Sequence, residues 1–536
     1  MSERSDGGVC AVSTQNNGWS WLDWSLAAWD RHRAGRPGPA LPDHQRTVPS
    51  LAWDAAGRHP DKRAVSIDGE SRTFAELRDS AALVAGWLRG QVQHGDRVLL
   101  VAPASSTWVE VYLGALAAGA AVVLANPASS RHELEYWAHD SDASLILADG
   151  DGVESCQGLD LPVVVLADRP WAGASPVAQP HRELSGSDVA VLAYTSGTTG
   201  RPKGVPLTHA QLLASISAVL FAWNWSPDDV VVHSLPLYHQ HGLGALHAAW
   251  CTGSSAALLS HFTSAGLAAT AREAGATVLF GVPAIYRRLV EEVDALPTED
   301  STALRGLRLR VCGSAPLDND LAAAIAERLG APALVRYGLT ESGLDVSQPL
   351  GDTPPGTIGV PLPGVQLRLV RHGREVGIGA EGEVQLRGPQ VFDGYWANPE
   401  ATAEAILPDG WFRTGDIAAL DAPGGQLRIC GRSKELIITG GLNVYPREVE
   451  LALEAHPGVQ EAGVAGVADD RWGEQVTAWV VARAGTDLDT TTLLEHTRGR
   501  LAPYKCPKQV YVVADLPRTS LGKLQRSRLR PPAQTP

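Results

Sequence analysis

Apolar and polar positions along the chain follow two alternating periods, the two-residue period of strands and the longer period of amphipathic helices. Before residue 190 the strand period appears in RAVSIDG, RVLLVAP, AAVVLANP, ASLILAD and LPVVVLAD, and a helix is predicted from Phe74 to Leu88. Later strand runs are DVVVHSLP, ATVLFGVP, LRLRVCGS and PALVRYG, and each ends in a polar or glycine-rich turn. Strands that alternate with helices predict doubly wound α/β layers, whose ligands lie beyond the carboxyl ends of the strands. We therefore expect these turns to meet at one crevice.

The pattern changes near Gly356 and again after Gly431. Short strands with turn residues, PPGTIGVPLPGVQLRLV and EGEVQLRG, predict a small barrel-like β-subdomain, and the last hundred residues have the pattern of a compact α+β unit. The predicted fold class is α/β, with a large N-terminal domain of two doubly wound α/β subdomains plus the small β-subdomain, followed by a small mobile α+β domain. We place the large domain at residues 46–431 and the C-terminal domain at 432–536.

Residues 1–45 are predicted to be an N-terminal extension that is partly disordered. Four tryptophans occur there within one short helical stretch: Trp19, Trp21, Trp24 and Trp29. They could form a docking surface for a partner or a membrane, or pack on the main body. We favour packing, because aromatic residues at such spacing usually cover a core.

Length and charge narrow the class of protein. With 536 residues, 44% of them hydrophobic, the chain can form two or three domains. A net charge of −14 without a basic block argues against a nucleic-acid partner. The six cysteines are far apart, which indicates neither a zinc site nor a disulfide framework and favours a reducing cytoplasm. The start lacks the apolar core of a signal peptide, and the longest apolar run, Leu113–Ala125, is too short to span a bilayer.

One stretch has the composition of a phosphate-binding loop. Residues 194–204 read YTSGTTGRPKG, between a predicted strand (DVAVLA) and a helix that a Thr208–Gln211 capping box would open. Glycines let the backbone approach an anion, hydroxyls donate hydrogen bonds, and Lys203 adds a mobile charge. The position of Lys203 excludes a Walker loop. A flexible surface loop is the alternative, which the flanking elements disfavour.

At these residues the chain resembles the adenylate-forming superfamily of acyl-CoA ligases, aryl-CoA ligases, luciferases and peptide-synthetase adenylation domains. Six further segments resemble the motifs of that family, in the same order, and the resemblance extends from about Arg63 to Leu524. The segments are LPLYHQHGL, VCGSAPL, RYGLTES, WFRTGD, GRSKELIITGGLNVYPREVE and PRTSLGKLQR.

The resemblance implies roles for residues that bind the nucleotide and act on it. Tyr337 would stack on adenine, Thr340 would bond the α-phosphate, Glu341 would bind magnesium, and Asp416 would bond both ribose hydroxyls. Lys523 would bridge the carboxylate and the phosphate as they react. The implied catalytic residues are Lys523, Thr340, Glu341 and His239. The implied ATP and AMP contacts are Thr195, Ser196, Gly197, Thr198, Thr199, Gly200, Lys203, Gly313, Ser314, Ala315, Arg336, Tyr337, Gly338, Asp416 and Arg432.

Further positions are implied for the thiol substrate and the hinge. Lys434 would be the pivot about which the C-terminal domain rotates between the two half-reactions. Gly440 and Gly441 would line a tunnel for pantetheine. Trp472, in DRWGEQVTAWVV, would stack on the adenine of coenzyme A, with Tyr504 and Lys505 beside it. Cys506 stands where an arginine occurs in some relatives, so the phosphate contact would fall to Lys505 or Lys508.

The acyl pocket implied by the resemblance contains His239, His241, Gly242, Gly281 and Ala284. The two histidines could instead be ordinary loop histidines. LPLYHQHGL resembles the malonyl-CoA synthetases, in which a basic residue pairs with the second carboxylate. The stretch that follows, GALHAAWCTGSSAALLSHF, has no arginine or lysine. We therefore expect an apolar or bulky monocarboxylic acid, unless Arg287 or Arg288 reaches the pocket. Small residues would leave room for such an acid: Gly242, Gly244, Gly281 and Ala284.

The function that follows is an AMP-forming carboxylate–CoA ligase that uses ATP, Mg²⁺ and coenzyme A, with no nucleic-acid or membrane partner. A homodimer is the default expectation for its assembly. Two alternatives stay open. One is a stand-alone adenylation enzyme that loads a carrier protein. The other is a family member that performs only the thioester-forming half-reaction on a supplied acyl-adenylate.

Overall fold

The computed structural model describes residues 46–195, 202–422, 425–432, 435–439, 442–469, 473–519 and 522–531. The predicted N-terminal extension with its tryptophans lies outside these residues. Among the helices of the described residues, none has the length and apolar character that a bilayer crossing requires.

The first strands are an antiparallel pair, β1 (Arg63–Ile67) and β2 (Glu70–Thr73). The next six form one sheet in the order β6-β5-β3-β4-β7-β8. They are β3 (Arg97–Val101), β4 (Ala121–Leu124), β5 (Ala143–Ala148), β6 (Val163–Val165), β7 (Val189–Thr195) and β8 (Lys203–Thr208). Strands β7 and β8 are antiparallel and flank the predicted phosphate loop.

A second sheet has nine strands in the order β15-β14-β13-β12-β11-β9-β10-β1-β2. Its remaining strands are β9 (Val230–His233), β10 (Ser255–Leu258), β11 (Val278–Gly281), β12 (Leu309–Cys312), β13 (Leu334–Tyr337), β14 (Val346–Ser347) and β15 (Val360–Pro361). Strands β13, β12, β11 and β9 are parallel neighbours, so their carboxyl ends lie side by side. The predicted crevice forms at this edge of the sheet.

Eleven described helices accompany the two sheets. They are α1 (Val48–Arg58), α2 (Phe74–Leu88), α3 (Ser106–Ala118), α4 (Arg131–Asp140), α5 (Asp151–Cys156), α6 (His209–Ala222), α7 (Gln240–Thr252), α8 (Ser264–Ala274), α9 (Pro283–Glu292), α10 (Thr298–Arg305) and α11 (Asn319–Arg328). Helix α2 has the predicted bounds. Helix α6 begins with the predicted capping box between Thr208 and Gln211, which satisfies two backbone donors at the helix start.

The small β-subdomain is an antiparallel five-stranded sheet in the order β17-β16-β18-β19-β20. Its elements are β16 (Gln366–Arg371), β17 (Arg374–Glu375), β18 (Glu381–Arg387), α12 (Pro399–Ala405), β19 (Phe412–Leu420) and β20 (Leu427–Arg432). Most of its buried apolar side chains belong to a core shared with the α/β layers, while Ile417, Ala419 and Cys430 form a small separate cluster. The predicted division of the large domain into three subdomains is thus confirmed at the level of the fold.

The C-terminal unit has its own sheet and its own core. Its elements are β21 (Ile437–Thr439), β22 (Leu442–Val444), α13 (Pro446–Glu454), β23 (Val459–Asp469), β24 (Gly473–Ala482), α14 (Thr490–Arg498) and β25 (Gln509–Val513). The core side chains run from Ile437 to Val510 and are separate from the core of the large domain. The small α+β domain is confirmed, and the boundary between residues 431 and 432 stays a prediction.

Candidate active site

The ends of the predicted phosphate loop are held by the hairpin of β7 and β8. Thr195 is the register partner of Lys203 across that hairpin. The Tyr194 hydroxyl donates to Asp140 Oδ2 at 2.7 Å, and the Tyr136 hydroxyl donates to the Pro202 carbonyl at 2.9 Å. The predicted loop residues Ser196, Gly197, Thr198, Thr199 and Gly200 lie outside the described residues.

The turn after β12 contains Gly313, Ser314 and Ala315 and packs closely against β13. A Cβ atom on Gly313 would lie 2.4 Å from Arg336 Nε, so only glycine admits the arginine at this distance. Ser314 has φ +67° and its hydroxyl lies 3.1 Å from His241 Nδ1. The predicted adenine turn is thereby connected to the predicted acyl pocket.

Two predicted nucleotide contacts, Tyr337 and Arg432, meet at the carboxylate of a third, Asp416, and each of the three lies in a different strand. The Tyr337 hydroxyl donates to Asp416 Oδ2 at 2.7 Å, and Arg432 Nε lies 2.8 Å from Asp416 Oδ1. The Asp416 side chain is only 5% exposed, whereas that of Arg432 is 47% exposed. The Asp416 charge raises the pKa of Arg432, while burial and then Asp416 raise that of Tyr337. The tyrosine and the arginine therefore stay protonated and hold the carboxylate in place.

The loop after β13 carries Thr340 and Glu341 and is fixed through its backbone. Gln240 Nε2 donates to the Thr340 carbonyl at 2.7 Å, and Phe392 N donates to the Glu341 carbonyl at 2.8 Å. A Cβ atom on Gly338 would lie 2.0 Å from a backbone oxygen across the loop. These contacts hold both side chains at the edge of the crevice.

Glu341 is a buried carboxylate of the kind that binds a hard cation. Burial raises its pKa, and the hydrogen bond that its Oε1 accepts from the Tyr395 hydroxyl at 3.0 Å opposes this rise. No cluster of three potential ligands from His, Cys, Asp and Glu occurs within the described residues. Mg²⁺ often takes one or two carboxylates and completes its shell with waters and substrate phosphates. Glu341 fits an ion that a nucleotide would help to hold.

Lys523, from the last loop of the C-terminal unit, lies among the charged groups of this crevice. Thr519 N donates to the Lys523 carbonyl at 2.8 Å, which closes the loop. Lys523 keeps a solvent-exposed surface, while partial desolvation by neighbouring protein atoms and then the Arg432 charge lower the pKa of its ammonium and the Asp416 charge raises it. Burial and, to a smaller extent, the Lys523 charge lower the pKa of His239 to about 4. His239 is therefore neutral near pH 7.

The predicted acyl pocket combines unsatisfied nitrogens with tightly packed glycines. The Nε2 atoms of His239 and His241 are buried and have no hydrogen-bond partner among the described residues. A Cβ atom on Gly242 would lie 2.4 Å from the Pro236 carbonyl oxygen. Gly281 is similarly close to the Tyr286 ring, and Ala284 is exposed on α9. Gly242 and Gly281 therefore permit close packing of protein atoms, where the sequence had suggested that they leave room for the acid.

Arg336 is a buried arginine with two unbonded guanidinium nitrogens. Its Nε and Nη2 atoms have no hydrogen-bond partner among the described residues, and burial lowers its pKa to about 10. The two arginines that sequence reasoning considered are both engaged: Arg287 lies 3.1 Å from Asp318, and Arg288 lies 3.3 Å from Glu292. The guanidinium with the unbonded nitrogens is thus one that sequence reasoning had assigned to the nucleotide.

The predicted coenzyme A positions are only partly described. Lys505 Nζ lies 2.6 and 2.8 Å from the two carboxylate oxygens of Glu448, and Tyr504 packs on the C-terminal core. The predicted hinge Lys434, the tunnel glycines Gly440 and Gly441, and Trp472 lie outside the described residues. Their roles stay predictions.

Sequence reasoning missed three side chains that support the crevice. Gln240 holds the Thr340 carbonyl, Tyr395 contacts Glu341, and the buried Asp345 accepts hydrogen bonds from Ser342 and Gln390. None of these side chains belongs to a local sequence motif. Their contacts join residues that are distant in the chain and that only the fold brings together, except for the hydrogen bond between Ser342 and Asp345.

Comparison with known proteins places the chain among nucleotide-dependent enzymes. Residues 52–396 match the family described as AMP-binding enzyme, and residues 448–523 match the AMP-binding enzyme C-terminal domain. The chain is 33% identical to the mitochondrial malonate–CoA ligase of Mus musculus, over 95% of each chain. It is 35% identical to feruloyl-CoA synthase of an Amycolatopsis species, over 88% of this chain and 96% of that one.

The fold is likewise similar to solved structures. The ATP-bound structure of MatB from Rhodopseudomonas palustris superimposes with a TM-score of 0.83 at 35% identity, covering 90% of this chain and 98% of the other. The nucleotide crevice and the C-terminal unit thus both lie within the region of similarity.

Proposed function

The chain belongs to the family of AMP-binding enzymes and is an AMP-forming acid–CoA ligase; from this premise we propose that the acid it activates carries a second carboxylate. The reaction has two halves. The carboxylate of the acid attacks the α-phosphorus of ATP and releases pyrophosphate, and the thiol of coenzyme A then displaces AMP from the acyl-adenylate.

The observation that supports a second carboxylate is that two buried nitrogens of the Arg336 guanidinium, Nε and Nη2, have no hydrogen-bond partner among the described residues. Leaving a buried cation without an anionic partner costs several kcal/mol, about 3–5 kcal/mol where a buried pair is broken. The carboxylate whose charge acts on Arg336 is that of Asp345, and its oxygens already accept hydrogen bonds from Ser342 and Gln390. A carboxylate on the substrate would supply the missing charge and accept the fork of N–H donors.

The neighbourhood of Arg336 favours the acid over the nucleotide as its partner. Arg336 packs on Gly313, and the adjacent Ser314 contacts His241 of the predicted acyl pocket. After burial, the Arg336 charge is the largest influence that lowers the pKa of His241. The cation therefore lies near a pocket lined by neutral imidazoles. One relative is named malonate–CoA ligase, and malonate is a short dicarboxylic acid. This name supports a dicarboxylic acid as the substrate class. A dicarboxylic acid replaces the apolar monocarboxylic acid expected from the sequence.

We further propose that the nucleotide contacts act as the family resemblance implies. Asp416, fixed by Tyr337 and Arg432, would accept the ribose hydroxyls, and Thr340 would donate to the α-phosphate. Glu341 would hold Mg²⁺, which would neutralise charge on the phosphates when bound. Lys523 would place its ammonium between the attacking carboxylate and the phosphate. The position of Lys523 in the crevice supports an arrangement suited to the first half-reaction.

The remaining proposals concern the setting of the enzyme. Lys434 would be the hinge, and Gly440, Gly441, Trp472, Tyr504 and Lys505 would bind coenzyme A. A cytoplasmic location is supported by the free thiols of the described cysteines, Cys156, Cys251, Cys312, Cys430 and Cys506. A homodimer stays a prediction.

The test compares wild type with Arg336→Met over a panel of acids. Pyrophosphate release is measured with malonate, succinate, acetate, butyrate and benzoate, and acyl-CoA is identified by mass spectrometry. Wild type should favour a dicarboxylic acid. Arg336→Met should lower kcat/KM for that acid about 100- to 1000-fold, as loss of a buried charged pair predicts, with little change for monocarboxylic acids.

The matched control is Arg288→Met, since Arg288 already pairs with Glu292, and it should behave as wild type. The KM for ATP should stay within about twofold in both variants. A wild-type preference for monocarboxylic acids would contradict the proposal. A rise in the KM for ATP that is equal for all acids in Arg336→Met would also contradict it, because the guanidinium would then belong to the nucleotide site.

A further inference from the structure

The segment that follows β18, residues 391–396, contacts both sides of the crevice. Phe392 N donates to the carbonyl of Glu341, next to the second sheet, at 2.8 Å. Trp396 N donates to the carbonyl of Gly204, in β8 of the first sheet, also at 2.8 Å. The side chain of Gln211 donates to the Val391 carbonyl at 3.0 Å. We refer to residues 391–396 as the connecting segment.

Within the connecting segment, Tyr395 contacts one predicted active-site residue from each side. Its hydroxyl donates to Glu341 Oε1 at 3.0 Å. The Lys203 ammonium lies 4.7 Å from the centre of its ring, within the range of a cation–π interaction. The ring packs edge-on against Phe392 at 4.9 Å, and Tyr395 N donates to Thr402 Oγ1 at 2.9 Å. Both the backbone and the ring of Tyr395 are therefore held before any ligand binds.

We propose that Tyr395 is a positioning residue that holds the phosphate-loop lysine Lys203 and the carboxylate Glu341 in fixed relation for adenylate formation. This inference rests on the roles proposed above for Lys203 and Glu341.

The physical basis is that one side chain restricts two groups that can each adopt several orientations. A lysine has a flexible four-carbon stem, and a ring face can hold its ammonium with about 0.5–2 kcal/mol. A glutamate carboxylate can rotate, and a hydrogen bond to one oxygen selects one orientation and leaves the second oxygen outside that bond. Side chains that orient a metal ligand in this way typically contribute about 10- to 100-fold in metal affinity or activity.

Two variants separate the hydroxyl from the ring. Tyr395→Phe keeps the ring over Lys203 and removes the hydrogen bond to Glu341. Tyr395→Leu removes both. ATP binding in the absence of acid is measured by calorimetry, once with Mg²⁺ and once with EDTA, and the kinetics of pyrophosphate release are measured as a function of Mg²⁺, ATP and acid.

Tyr395→Phe should reduce the gain in ATP affinity that Mg²⁺ confers, and should raise the Mg²⁺ concentration for half-maximal activity about 10-fold. Its ATP affinity in EDTA and its KM for the acid should match wild type. Tyr395→Leu should in addition weaken ATP binding in EDTA, because Lys203 loses the ring. Thioester formation from a supplied acyl-adenylate should be unchanged in both.

The matched control is Tyr511→Phe, in which another tyrosine, bonded to Gln509 in β25, loses its hydroxyl. It should resemble wild type in every measurement, and the melting temperatures of both phenylalanine variants should match it too. If both Tyr395 variants had the Mg²⁺ dependence and the ATP affinity of the wild-type protein, the positioning role would be overturned. Failure of the proposed function is distinguishable, since wild type itself would then show no acid-dependent pyrophosphate release.

Discussion

At the residue scale, the crevice is a set of charges that compensate one another only in part. Asp416 has two partners in Tyr337 and Arg432, whereas Nε and Nη2 of Arg336 have none among the described residues. Lys523 lies between these extremes, because partial desolvation and Arg432 lower its pKa while Asp416 raises it. Substrates that bring negative charge, a nucleotide and an acid, would complete the balance.

Lys523→Ala should abolish most adenylate formation, because the ammonium would stabilise charge that develops as the carboxylate attacks the phosphate. Removal of one such donor typically costs about 100- to 1000-fold in kcat. The measurement is acid-dependent pyrophosphate release, followed separately from acyl transfer out of a supplied acyl-adenylate, which should be spared.

Lys508→Ala is the control for Lys523→Ala, since Lys508 is exposed and its ammonium only approaches the Pro503 carbonyl at 3.3 Å. It should retain adenylate formation. An equal loss of both half-reactions in Lys523→Ala would rule out the assigned role.

At the scale of elements, helix α7 shows how local spacing and tertiary packing differ. Its first turn carries His241 and Gly242, and Gly244 follows on the next turn. The sequence treats the two glycines alike, as small residues beside a pocket. In the structure Gly242 is packed against the Pro236 carbonyl, while nothing lies within 4 Å of a Cβ atom added to Gly244.

Gly242→Ala and Gly244→Ala should therefore have opposite effects on stability. The first should lower the free energy of unfolding by about 1–3 kcal/mol, as overpacking does. The second should raise it by up to about 1 kcal/mol, because alanine is the better helix former. Urea unfolding of both variants against wild type makes the comparison, and equal effects would contradict this view of α7.

The pairing of β1 is a second example at this scale. The alternation of RAVSIDG identifies the strand, yet its parallel partner is β10, about 190 residues later, in the second sheet. Local pattern predicts that a strand exists, because alternation reflects burial on the two faces. It does not specify a distant parallel neighbour, since parallel pairing depends on how whole layers pack.

At the scale of the whole molecule, Asp345 connects the second α/β layer to the β-subdomain. Its carboxylate is fully buried and accepts from the Ser342 hydroxyl at 2.5 Å and from Gln390 Nε2 at 3.1 Å. Burial raises its pKa from 3.8 to about 7, although both hydrogen bonds oppose the rise. The pKa of Asp345 therefore couples the stability of the large domain to pH.

Asp345→Asn should become more stable relative to wild type as pH rises from about 4 to about 7. Below this window Asp345 is protonated in both states, and above it the carboxylate is ionised in both. Within the window the unfolded chain loses the proton first, so wild type loses up to about 1.4 kcal/mol of stability per pH unit. Urea unfolding at pH 5 and pH 8 measures the difference, and a difference independent of pH would contradict the raised pKa.

The sequence by itself determined the chemistry that the chain can perform and the order of its layers. The glycine and hydroxyl loop, the RYGLTES and WFRTGD segments and Lys523 are local patterns. Periodicity sufficed for helix α2 and the strands that end at the crevice, and the Thr208–Gln211 spacing sufficed for the cap of α6. These features depend on neighbours in the chain, so the linear pattern contains them.

Only the tertiary structure decided which of these groups are satisfied and which are not. Nε and Nη2 of Arg336 are unbonded among the described residues because Gly313 admits the side chain beside β12 while Asp345 is hydrogen-bonded to Ser342 and Gln390. Tyr395 contacts Lys203 and Glu341 because the connecting segment crosses between two sheets. Such contacts join residues tens to hundreds of positions apart, and their energies depend on burial. Burial is a property of the packed molecule, and for that reason the class of acid and the positioning role of Tyr395 could be inferred only after folding.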